Sequence, residues 1–157
     1  MPIYETNTGA LLTYYGLTLG WKPPWNIPWG TIGVATQTTS QTIPTTTGDI
    51  SGLSVTWTAI AGRRYRTTLV IPVADCASAT TLAGLLDEGG TTVGQANQTI
   101  TAGASSNLTV MAYRTGLSGS VTHKGRFVST VAAGTATASS NVPLVLLVED
   151  IGPSANP

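Results

Sequence analysis

Of the side chains able to take part in bond chemistry, the chain holds one His, one Cys and seven Asp plus Glu in 157 residues. His123 lies in the polar stretch Ser120-Val-Thr-His-Lys-Gly-Arg-Phe127. An imidazole works as a general base when a carboxylate orients it. Here the sequence neighbours are Lys124 and Arg126, which favour the neutral ring, and no acid is close in sequence. The expectation is an exposed strand histidine. Asp87-Glu88 is an acid pair beside Gly89-Gly90. The carboxylates of glycoside chemistry face one another across about 5 to 10 Å, whereas neighbours on a strand point to opposite sides, so a solvated turn is expected. Asp75-Cys76 reads as an inert buried thiol rather than a nucleophile.

Single copies of His and Cys are too few for a structural zinc site or an internal disulfide. Gly84, Gly89, Gly90 and Gly94 do not fall into a phosphate-loop or dinucleotide spacing, so no cofactor is indicated. Arg63-Arg64-Tyr65-Arg66 is the one basic cluster, with an aromatic inside it as single-strand binders often have. Alternation puts Arg64 and Arg66 on one face and Tyr65 on the other, which suits an exposed or subunit-pairing strand start. Seven Lys plus Arg against seven Asp plus Glu leave no basic excess to neutralise phosphates, so nucleic acid is not an expected partner. The sequons at Asn97 and Asn107 are unsurprising in a chain that is roughly a quarter Ser and Thr. Together these readings speak against an enzyme.

The elements carrying these residues read as strands. From Thr31 onward, short runs of Val, Ile, Thr and Tyr alternate with Gly-containing turns. Expected strands are Ile32 to Thr39, Leu53 to Ala61, Arg64 to Val73, Thr80 to Asp87, Thr91 to Ile100, Asn107 to Arg114, Ser120 to Val131, Thr135 to Ser140 and Pro143 to Glu149. Val55-Thr-Trp-Thr-Ala59 shows the period of two plainly. Thr80 to Asp87 also tolerates a short helix. Ala61-Gly62-Arg63 and Glu88-Gly89-Gly90 read as hairpin turns, which makes neighbouring strands antiparallel. The fold class is all-β, an antiparallel sandwich or jelly-roll-like domain over 31–157. Leu144-Val-Leu-Leu-Val148 is apolar on both faces, so it should lie centrally or under a partner subunit.

Residues 1–30 differ. Trp21, Trp25 and Trp29 alternate with Pro23, Pro24 and Pro28, and proline excludes both a helix and a central strand there. An extended N-terminal arm follows, whose indoles need a pocket. Two destinations are open: a lid across its own domain, or an anchor in a neighbouring subunit or particle. With 41% hydrophobic and 9% charged residues, the surface suits assembly. No run approaches the ~20 apolar residues of a membrane span, and the amino terminus lacks a signal-peptide layout, so synthesis in the cytoplasm and no membrane partner are expected.

Three stretches carry a resemblance: Pro24 to Ala35 entering the Thr-rich domain, Leu53 to Arg64 with its Ala-Gly-Arg-Arg end, and Leu146 to Pro153. In these the chain resembles small virion structural proteins of tailed bacteriophages of actinobacteria. The resemblance implies a β-sandwich displayed on the virion, commonly a homotrimer, decorating the capsid or belonging to a tail appendage. The partner is then the major capsid protein or tail proteins. On this reading the arm residues Trp21, Pro23, Pro24, Trp25, Pro28 and Trp29 anchor the protein, and Leu144, Leu146 and Val148 lie near the oligomer interface. The alternative is a tail or fibre component binding a host glycan, with Tyr113 and Arg114, or Tyr65 and its arginines, lining a shallow sugar site.

Overall fold

The computed structural model describes residues 3–5, 11–14, 21–22, 30–131 and 133–154. Among these the regular structure is all β, and every strand pair is antiparallel. Strands β1 (Ile3–Glu5), β2 (Leu11–Tyr14) and β3 (Trp21–Lys22) form a small sheet of their own. The described backbone before residue 30 is therefore paired strand where one extended run was expected. Trp21–Lys22 is an edge strand of that sheet. Pro23, Pro24, Trp25, Pro28 and Trp29 lie outside the described residues.

The main body consists of β4 (Gly30–Gln37), β5 (Gln41–Ile43), β6 (Gly48–Ala59), β7 (Arg63–Cys76), β8 (Thr80–Glu88), β9 (Thr91–Ile100), β10 (Ser105–Arg114), β11 (Gly119–Ser129), β12 (Gly134–Ala136) and β13 (Leu144–Pro153). One sheet runs β6-β11-β8-β9. The other is built on the long β7, which pairs β10 along one edge and β13 followed by β12 along the other. β4 pairs β13, and β5 pairs β12. The two sheets close over one core in which Leu53, Leu69, Leu82, Leu86, Phe127, Leu144 and Leu146 are buried. Each such Leu or Phe is worth about 1.5–3 kcal/mol over its exposed state.

The turns follow the sequence cues. Gly62 between β6 and β7 has φ 78°, and Gly89 and Gly90 between β8 and β9 have φ 59° and 93°. Such values suit glycine because it has no Cβ to clash. Thr80–Glu88 is a strand, and its burial on both faces from Leu82 to Asp87 explains why its period of two is invisible.

β13 is central, lying between β4 and β7, one of the two positions expected for it. Two site expectations are corrected by packing. Leu144, Leu146 and Val148 are 0% exposed. They already fill the protomer's own core, so a neighbouring copy has nothing of theirs to cover. Tyr65 is also a core residue, 1% exposed, with its hydroxyl accepting the Ile60 N–H at 2.7 Å, and it lines no sugar site.

Candidate functional site

His123 is not an exposed strand histidine. β11 lies between β6 and β8, and its odd-numbered residues His123, Gly125 and Phe127 face inward and are buried. Lys124 and Arg126 therefore point away from the imidazole, on the opposite face of the sheet. His123 is 0% exposed and meets residues from three other strands. Glu88 on β8 accepts from Nε2 at 2.7 Å, and Thr67 on β7 donates to Nδ1 at 2.6 Å. An ionised carboxylate accepts only, which assigns the ring proton to Nε2 and leaves Nδ1 as acceptor. The Trp57 ring on β6 meets the imidazole edge-on at 4.7 Å.

Glu88 is the hub of this network. Arg114, at the end of β10, grips it through Nε at 3.0 Å and Nη2 at 2.8 Å. This bidentate arginine, followed by the hydrogen bond from His123, holds the Glu88 carboxyl below its usual range despite partial burial. Burial pushes the His123 imidazole down, with Glu88 partly opposing that shift. Asp87 and Glu88 diverge as strand neighbours must, but neither is a solvated turn residue. Asp87 is 5% exposed, accepts the Gly90 N–H at 3.0 Å and lies 3.5 Å from Arg126 Nη1.

Hydroxyl, imidazole and carboxylate are thus lined up as in a nucleophilic triad, but Thr67 is 0% exposed as well. Its Oγ1 is closed to solvent, and the line runs as a buried polar strut between the sheets. A second strut closes the same body. Arg63, expected in an exposed basic cluster, is 4% exposed and pairs with Asp150 at 2.7 Å. Arg64 and Arg66 do face outward together, Arg66 pairing with Glu149 at 2.8 Å. Cys76 is buried as expected, and burial raises its thiol pKa. Among the described residues no group of three or more His, Cys, Asp or Glu side chains could hold a metal.

The remaining candidates are the two outer faces, and they differ in kind. On the β6-β11-β8-β9 sheet the outer face is polar: Thr56 and Thr122 share a hydrogen bond of 2.7 Å, and Asp49 pairs with Lys124 and Arg126, each at 2.9 Å. Lys124 leads the effects that hold the Asp49 carboxyl low. Here lies an open basin of about 380 Å³ lined by Asp49, Asp87, Gly89, Gly90, Thr122, Lys124 and Arg126.

The outer face of the opposite sheet is uncharged and largely aliphatic at its centre, with threonines between, and charged toward one end, where Arg64, Arg66 and Glu149 lie. Strand register aligns Val34, Leu147, Thr68 and Met111 in one row across β4, β13, β7 and β10. Thr36, Val145, Val70 and Thr109 form the next. Val34, Met111 and Tyr113 are 53%, 54% and 62% exposed. Neither a family model nor a curated protein matches this chain.

Sequence reading misses Glu88 and Thr67 as partners of His123, since they lie 35 and 56 residues away. The available signal is parity: an inward Phe127 fixes an inward His123.

Proposed function

We propose that the protein is a structural component of a bacteriophage virion, a capsid decoration that binds the outer capsid surface as a symmetric oligomer and stabilises the shell. On this reading the body is a jelly-roll-like sandwich, residues 1–30 are the arm, and Trp21, Trp25 and Trp29 anchor it. The homotrimer and the major capsid protein as partner come from the family resemblance. The observation that supports the reading best is the contrast between the two outer faces. A decoration needs an apolar side for its neighbours and a polar side for solvent, and this sandwich has one face with an uncharged, largely aliphatic centre and one polar face. Many identical contacts on a lattice would multiply a modest single affinity.

The second reading is a tail or fibre component that binds a host glycan. Its support is the polar basin on the wet face, where Asp49, Lys124 and the Gly89-Gly90 backbone offer both acceptors and donors to sugar hydroxyls. Quantitative mass spectrometry of purified virions separates the two. The decoration reading expects copies comparable in number to the major capsid protein. A few copies per particle would favour the tail reading, and complete absence would overturn both.

A further inference from the structure

We infer that the outer face of the β4-β13-β7-β10 sheet, through its largely aliphatic centre, is the surface through which copies of this chain meet. The inference rests on the virion reading for the expectation that copies associate; a face that packs on its like joins two copies about a twofold axis, so the contact it makes is a dimer contact and not the threefold one that the resemblance implies. Interior-facing residues of β13 are already in the core, so the contact must use the other parity of the same strand, Val145 and Leu147, which are only half-buried.

Three properties of the face point to a second copy rather than another occupant. The first is shape and size. Four strands averaging about ten residues, at ~4.8 Å between strands and ~3.3 Å per residue, give roughly 600 Å² in plan for the whole face, its uncharged centre and its charged end together. Pleating and projecting side chains raise this toward the ~800 Å² per partner of a standard interface. A peptide strand or a small ligand would cover a fraction of it, whereas a flat sheet face is matched by another flat face packed ~10 Å away.

Charge is the second property. On this face Arg66 and Glu149 neutralise each other at 2.8 Å, and Arg64 donates to the Pro153 carbonyl at 3.1 Å. The Val34-Leu147-Thr68-Met111 row carries no charge, so like faces can approach along it, with Arg64, whose charge the carbonyl does not cancel, at the charged end of the face. The third is contrast within the molecule. The other outer face holds the Asp49-Lys124-Arg126 cluster and the Thr56-Thr122 pair, which marks it as the side left in water.

The test is sedimentation velocity on the full chain across micromolar to millimolar concentration, with Val34→Lys and Met111→Lys in the uncharged row of this face and Thr58→Lys on the polar face. Val34 and Met111 are more than half exposed, so the lysines reach water in the protomer, and circular dichroism melts check that each variant folds. The expected result is concentration-dependent association of the wild type, at least about tenfold weaker in V34K and M111K and unchanged in T58K, since a lysine at a packed interface must be desolvated without a partner. A wild type that stays monomeric throughout would overturn the inference. So would V34K and M111K associating like wild type, which would leave the virion reading standing with its interface elsewhere. If the wild type is monomeric and Trp25→Ala with Trp29→Ala makes it associate, the chain's own N-terminal segment covers the face and the inference is again overturned.

Discussion

His123 makes stability depend on pH through its surroundings. Its neutral ring donates to Glu88 and accepts from Thr67, with Arg114 holding Glu88 from the other side and Asp87 adding a nearby negative charge. Because burial depresses the imidazole pKa, the unfolded chain binds a proton that the folded one resists. The contribution is therefore complete above the ordinary value of about 6.5 and is lost as pH falls from there through the lower folded value. Glu88 is also depressed, so it adds a second loss below its ordinary value of about 4.3. Urea titrations from about pH 8 to pH 5 should show the midpoint falling below about pH 6.5 in the wild type. In His123→Gln the same limb should be nearly flat, on a baseline about 1–3 kcal/mol lower from the broken network. An unchanged slope in that variant would mean that another group titrates. Little of this network is legible in the linear sequence: Lys124 and Arg126 flank His123 there yet occupy the opposite face, and Glu88 arrives only because β8 pairs β11.

At the scale of elements, sheet-to-sheet distance is set by glycines on inward positions. A Cβ at Gly84 would lie 2.8 Å from Leu108 and 2.9 Å from Val110 of the facing sheet, and at Gly125 2.9 Å from Leu69. Gly84→Val should cost about 1–3 kcal/mol by overpacking, read as a lowered thermal midpoint. Wild-type stability in that variant would show that the sheets part freely at β8. Eight of the nine strands expected from residue 31 onward are present with shifted ends, while Thr135 to Ser140 shrinks to Gly134–Ala136; the plainest cases, Val55 to Ala59 and Tyr65 to Ile71, carry the period of two that burial on one face writes into sequence. What the sequence hides has physical causes. β5 is three residues long, too short for a period to show. β8 is buried on both faces, so its alternation is erased and a short helix fits the same residues. β13 is readable as central, but Leu144, Leu146 and Val148 cannot be divided from Val145 and Leu147 until strand order assigns one set to the core.

At the scale of the whole molecule, β13 holds the body shut. It joins β4, where the body begins, to β7 in its middle, and its Asp150 completes the buried pair with Arg63. Removing residues 144–157 should leave the chain without a cooperative melt by circular dichroism and running as unfolded or aggregated material in size exclusion. A folded, monomeric truncation would show that the β6-β11-β8-β9 sheet stands alone. The same closure fixes when folding can finish on the ribosome. The strand that fills the gap between β4 and β7 follows every other strand of the body along the chain, so a nascent chain carries two open strand edges until β13 has emerged. Edges of that kind invite pairing with other chains, so shielding the chain until β13 has emerged should raise the yield of folded protein without changing its stability.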